Sequence, residues 1–296
     1  MLNLFGARIK NAHTDLVENT ELEFGRNMLK TAIIESNIDF ERIRQIETVE
    51  EVFDIEPDLK IVEVENSKGD GRLYFDLHDE RFWIIYSVGK SDFFNATIDD
   101  LHQTEGGGLD RLWINTEKVE KIGDMGRYEG IKLSYGATDV FPEEFIEDNL
   151  QFTDLNVDSS GQSASYLYNI LKDTEEVEDF LALSRIQIRR EEDGEFVRES
   201  ITNEGAFTTR NGSDIGLHVS MVERVKDLYS RILEAVESNH IIRAEKKEHG
   251  GRSRGGPVVI KFSRPVPDVE KFLNHVVNAK DPFRLWGHVR QTGDNA

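Results

Sequence analysis

The sequence predicts an α+β protein of mainly antiparallel sheets backed by helices, and three observations carry that reading. Residues 59–88 hold three apolar runs joined by short polar turns, and two more runs flank Asp193-Gly194. Residues 221–237 repeat Val222, Val225, Tyr229, Ile232 and Val236 at spacings of three and four. Period-two alternation closed by tight turns marks hairpins, and period 3.6 marks an amphipathic helix.

In chain order, residues 1–53 read as mostly helical. Met28, Leu29, Ala32 and Ile33 have helical spacing within 26–36, and Ile43, Ile46, Val49 and Val52 repeat it within 40–52, closed by Pro57. Strands follow at 59–65, 72–78 and 81–88. The last, RFWIIYSV, is apolar on both faces and belongs at the centre of a sheet. Residues 92–103 form a short helix with Phe93, Ala96, Thr97 and Leu101 inward. The strand 109–114, the helix 116–122 opened by Asn115 or Thr116, and the strand 130–135 make a βαβ or split α+β element.

The acidic stretch 136–161 contains Pro142 and ends in Asp158-Ser159-Ser160-Gly161. It suits a boundary between two domains, 1–150 and 151–296. Beyond it come helices at 163–171 and 175–183, then a hairpin of 184–190 with 195–201. Ser220 with Glu223 three residues later is a capping box for the helix 221–237. A helix at 268–278 and a closing strand at 283–289 complete the second half.

Composition sets the class. At 296 residues with 38% hydrophobic content, 17 Phe, 7 Tyr and 3 Trp, the chain can bury a sizeable core. It has no cysteine, which excludes disulfides, thiolate catalysis and iron–sulfur clusters. No apolar run approaches the roughly 20 residues that span a bilayer. The amino-terminal MLNLFGARIKNAH lacks the apolar core of a signal peptide, so a cytoplasmic location without membrane contact is the expectation.

Charge is unevenly spread. Between His240 and Gln291 there are 11 Lys and Arg against 5 Asp and Glu, whereas residues 1–239 carry 25 against 51. A basic end on an acidic chain points to an anionic partner, because lysines and arginines neutralise phosphates and release condensed counterions. The acidic excess also suits a salt-adapted proteome, which leaves the basic end still to be explained.

The basic end opens with HIIRAEKKEHGGRSRGGPVVIKFSR, residues 240–264. It reads as a hairpin whose strands are 240–247 and 257–262. Gly250-Gly251 and Gly255-Gly256 bracket Arg252-Ser253-Arg254 in a loop able to bring backbone N–H groups and two guanidiniums onto phosphate oxygens. Candidate backbone contacts are Arg243, Lys246, Lys247, Arg252, Arg254, Lys261 and Arg264. Arg284, His288 and Arg290 follow on the closing strand near Phe262, Phe283 and Trp286.

The phosphate-binding, dinucleotide-binding and zinc-protease motifs are all missing from the sequence. Asp76, His78, Asp79 and Glu80 offer metal-type ligands at one strand end, although a polar turn explains them as well. Glu245-Lys246-Lys247 has the Glu-x-Lys form of a Mg²⁺-dependent nuclease, with Glu245 as metal ligand and Lys247 stabilising charge at the phosphate. Arg8 and His13 could serve metal-free RNA cleavage.

The sequence reading that follows is a nucleic-acid-binding protein, duplex DNA favoured, that needs no cofactor. Genome maintenance or antiviral defence is the context such a module suggests. A Mg²⁺-dependent nuclease is the first alternative. The second is an assembly subunit whose basic loop docks on the acidic face of a protein partner or another copy.

Overall fold

A strand buried at every position, Leu29–Ser36 (β1, LKTAIIES), organises the structure. In this computed structural model the described residues are 28–103, 108–136, 154–161, 163–174, 181–239, 243–247 and 250–254, with Met1, Asn3, Phe5 and Gly6. The helix expected over 26–36 is therefore a strand. Thr31, Ile33 and Ile34 are β-branched, and a strand covered on both faces shows no alternation, so its apolar spacing mimics a helix.

The second expected helix is also largely strand. Only Phe40–Gln45 forms a 3₁₀ turn, capped by the Asp39 carboxylate accepting from the Glu41 N–H. Val49–Glu56 is then strand β2. Leu59–Asn66 (β3), Gly69–Asp76 (β4) and Phe82–Ser87 (β5) follow it as consecutive antiparallel neighbours. The expected three-strand meander thus has four strands, and β5 lies fully buried between β4 and β1.

Ser91–His102 is helix α1, with Phe93, Phe94, Thr97, Ile98 and Leu101 buried. Leu109–Arg111 (β6) pairs with the end of β1. Thr116–Gly123 is helix α2, and the Asn115 side chain accepts from the Lys118 N–H at its start. Arg127–Gly136 (β7) pairs with β9 rather than with β6, so the expected βαβ element does not form.

After Asp154–Ser160 (β8) and helix Ser163–Lys172 (α3) come Leu183–Glu192 (β9), Glu195–Thr202 (β10) and Ala206–Gly212 (β11). Leu183 opens β9, and residues 175–180 of the helix expected there lie outside the described residues. Asp193 and Gly194 both have positive φ, 53° and 84°, as a two-residue turn between twisted strands requires. Helix Ile215–Asn239 (α4) begins before Ser220, so the expected capping box lies inside the helix. Asp214 instead accepts from the Gly216 N–H ahead of the first turn.

Eleven strands among the described residues share one sheet in the order β2-β3-β4-β5-β1-β11-β10-β9-β7-β8, with β6 also on β1. One core cluster gathers Ala32, Ile34, Val62, Leu73, Phe75, Trp83, Phe93, Ile98 and Leu101 between the sheet and α1. Two compact units result: residues 1–133 with 157–229, and residues 134–156 with 230–296. A boundary near residue 150 falls between β7 and β8, which are neighbours in the sheet.

Candidate nucleic-acid interface

Arg243–Lys247 (β12) and Gly250–Arg254 (β13) form an antiparallel two-stranded sheet. A hairpin is what the sequence leads one to expect here, but with a different turn. Register pairs Lys247 with Gly250, Glu245 with Arg252 and Arg243 with Arg254. Arg252 and Arg254 therefore stand on a strand and not in a glycine loop. Glycine weakens a strand without preventing its ladder bonds, so Gly250 and Gly251 take part in the pairing.

Lys246 and Lys247 stand on β12 with Arg243. Lys261, Arg264, Arg284, His288 and Arg290, like Arg8 and His13, lie outside the described residues. Glu245 and Lys247 share one strand, and the strand hydrogen-bonded to it supplies Gly, Gly, Arg, Ser and Arg. A nuclease built on Glu245 would need a carboxylate on a neighbouring strand. β13 holds none.

The Asp76–Glu80 segment is a turn. The Asp76 carboxylate accepts from the His78 N–H at 3.1 Å and from His78 Nδ1 at 2.6 Å. That hydrogen bond, and then the carboxylate charge, holds the exposed His78 imidazole above its usual range. Asp79 accepts from the N–H groups of Arg81 and Phe82. Among the described residues, no group of three or more His, Cys, Asp or Glu is placed to hold a metal ion.

A polar cluster that no local motif announces lies in the core. His218 on α4 is hydrogen-bonded through Nε2 to Thr31 Oγ1 at 2.9 Å and through Nδ1 to Glu199. Thr209 Oγ1 lies 3.0 Å from the same Nδ1 and donates to Glu199 Oε1 at 3.2 Å. The hydroxyl–imidazole–carboxylate chain resembles the arrangement that activates a nucleophile. Thr31, His218 and Thr209 have no solvent exposure and Glu199 has 1%, so no substrate reaches the hydroxyl. The cluster joins β1, β10, β11 and α4.

Sequence reasoning also missed an arginine-rich sheet face. Arg185 on β9, Arg198 on β10 and Arg210 on β11 belong to adjacent strands, and Arg127 on β7 continues the row. Arg198 Nε lies 3.4 Å from Glu129, Arg127 Nη2 3.2 Å from the same carboxylate, and Arg185 Nη2 2.7 Å from Asp158. Partial desolvation, followed by the positive charge of Arg185, lowers the pKa of the Arg210 guanidinium. Arg198 adds to that lowering, while Glu129 and Asp158 oppose it. Outward positions along three strands were the available signal; their adjacency was not.

Among the described residues no helix is long and apolar enough to cross a membrane. A protein of Methanocaldococcus jannaschii named "Uncharacterized protein MJECL33" is 23% identical over an alignment covering 97% of this chain and 77% of that protein. The family model described as MJECL33-like protein matches residues 1–296, and the chain belongs to that family.

Proposed function

We propose that the protein binds nucleic acid without catalysing a reaction, acts in the cytoplasm, and makes contact through the basic hairpin β12–β13. The supporting observation is the register of that hairpin, which sets Arg243 directly opposite Arg254. Like charges facing each other across a strand pair oppose its formation, and a polyanion reverses the sign of that effect. Lys246, Lys247 and Arg252 add three more cations within the same twelve residues.

A two-stranded ribbon fits the major groove of B-DNA, which favours duplex DNA over RNA. The acidic remainder of the chain repels the same polyanion and would confine contact to the basic end. Lys261, Arg264, Arg284, His288 and Arg290 extend this basic set in sequence.

The test is a titration of the intact protein with labelled duplex DNA, single-stranded DNA and RNA across a salt series, with and without Mg²⁺. Binding that weakens steeply with salt and is lost in the Arg252→Ala/Arg254→Ala variant supports the proposal. Shortening of the probe in Mg²⁺, abolished by Glu245→Gln, replaces it with a nuclease. Salt-sensitive self-association without affinity for any probe replaces it with an assembly role for the hairpin.

A further inference from the structure

We propose that Arg185, Arg198 and Arg210, on the sheet face they share with Arg127, form a second contact for nucleic acid, one that grips backbone phosphates independently of the hairpin. The inference rests on the nucleic-acid reading for the identity of its ligand, and on its own geometry for the site.

Five guanidiniums meet three carboxylates there, because Arg189 stands opposite both Arg127 and Arg198 and is paired with Glu191. Glu129 is shared between Arg127 and Arg198, and Asp158 engages one Nη of Arg185. Arg210 is exposed and, among the described residues, makes no hydrogen bond or ion pair. The Nε atoms of Arg185 and Arg198 are buried without a hydrogen-bond acceptor. The face is therefore rich in donors and short of acceptors, within the compact unit that carries most of the sheet.

Phosphate oxygens can accept from exposed Arg210 and from the partly exposed guanidinium ends of Arg185 and Arg198, whose buried Nε atoms they do not reach. A guanidinium presents its donors in a planar fork that matches two oxygens of one phosphate, and successive phosphates of a backbone could engage successive strands. Partial desolvation first, and then the charge of Arg185 with a smaller part from Arg198, lowers the pKa of the Arg210 guanidinium in the free protein. An anion bound among them offsets that charge.

The experiment titrates labelled duplex DNA across a salt series into wild-type protein, Arg210→Gln, Arg198→Gln, Arg210→Lys and the hairpin variant Arg252→Ala/Arg254→Ala. Thermal melts confirm folding, and exposed Arg210 gives a variant that keeps the fold if Arg198→Gln does not. The expected result is a loss of affinity of roughly threefold to tenfold in Arg210→Gln, with a salt slope shallower by about one and partial recovery in Arg210→Lys.

Wild-type affinity and slope in both glutamine variants would overturn the inference, and loss in the hairpin variant alone would leave the hairpin reading standing. Loss in Arg210→Gln with an unchanged hairpin variant would sustain the arginine face and overturn the hairpin. Failure of the wild-type protein to bind at low salt would overturn both.

Discussion

Glu199 on β10 and His218 on α4 are hydrogen-bonded to each other with both side chains cut off from solvent. The pair fixes where the helix meets the sheet, since Thr31 from β1 and Thr209 from β11 occupy the ring's other contacts. Removing His218 leaves the buried Glu199 carboxylate with the Thr209 hydroxyl as its remaining hydrogen-bond partner among the described residues. His218→Ala should lower stability by about 3–5 kcal/mol in urea unfolding. The double replacement Glu199→Leu with His218→Leu should cost less than its two single changes added together. Equal or additive losses would mean the pair is uncoupled.

Lys30 is 2% exposed, and burial pulls its pKa down to about 8. Its ammonium donates to the carbonyls of Met28 and Gly89 at 3.1 and 2.7 Å. A lysine whose folded pKa lies below its unfolded value destabilises the fold while both states are charged. That penalty shrinks as pH rises from about 8 towards 10. Between pH 7.5 and 9.5 this group should raise unfolding free energy by about 2 kcal/mol, and Lys30→Met should flatten the rise. Burial holds Tyr128 and Tyr229 up at about 12, so their contribution to stability is lost only at higher pH.

Phe75 has no exposure and meets Phe40 and Trp83 edge-on, with ring centroids 5.4 and 6.4 Å apart. Phe75→Ala should cost about 3–5 kcal/mol, seen as a lower denaturation midpoint with an unchanged slope. A loss below about 1 kcal/mol would mean that the core refills the space.

Gly194 sits at φ 84°, and a methyl group on its Cα would meet no other atom within 4 Å. Gly194→Ala therefore meets backbone strain alone, and should cost about 1–2 kcal/mol. Thermal unfolding should show the loss without any change in the sheet's circular dichroism.

Among the described strands β2 is an edge, and it exposes Phe53 and Ile55 at 39% and 47%. Glu50, Glu51, Asp54 and Glu56 lie along the same eight residues, and the register with β3 shifts twice. Charge and bulges are what keeps an open edge from pairing with another copy. Replacing Glu51 and Glu56 with valine should promote association, read as a larger mass in light scattering. An unchanged mass would show that the bulges suffice.

Local chemistry made part of this architecture legible. Alternation located β3 and β4, an apolar run after a tight turn located β5, Asp193-Gly194 located the β9–β10 turn, and Asn115 located the start of α2. Burial on both faces hid β1 behind a helical period. β2 carries little alternation because most of it is exposed, and the sequence reading assigned no element to β11.

The cluster around His218 gathers Thr31 from 187 residues away, and the arginine face depends on the order of β9, β10 and β11. Neither separation leaves a mark on neighbouring residues. The hairpin was legible as a hairpin, while its turn was misplaced because glycine pairs mark loops and strand ends alike.

β1 is flanked by β5 on one side and by β11, some 175 residues further along, on the other. A growing chain can zip β2 through β5 onto β1 as they emerge and add β6 to the end of its opposite edge, but Leu29–Ala32 on that edge must wait until residues 206–209 have been made. The nascent chain therefore keeps Leu29–Ala32 paired on at most one edge while some 170 residues are added. Contacts so far apart in the chain also slow folding once the chain is free. Assembly of the sheet's centre is a late event, and a chain interrupted before β11 would be the species most in need of a chaperone.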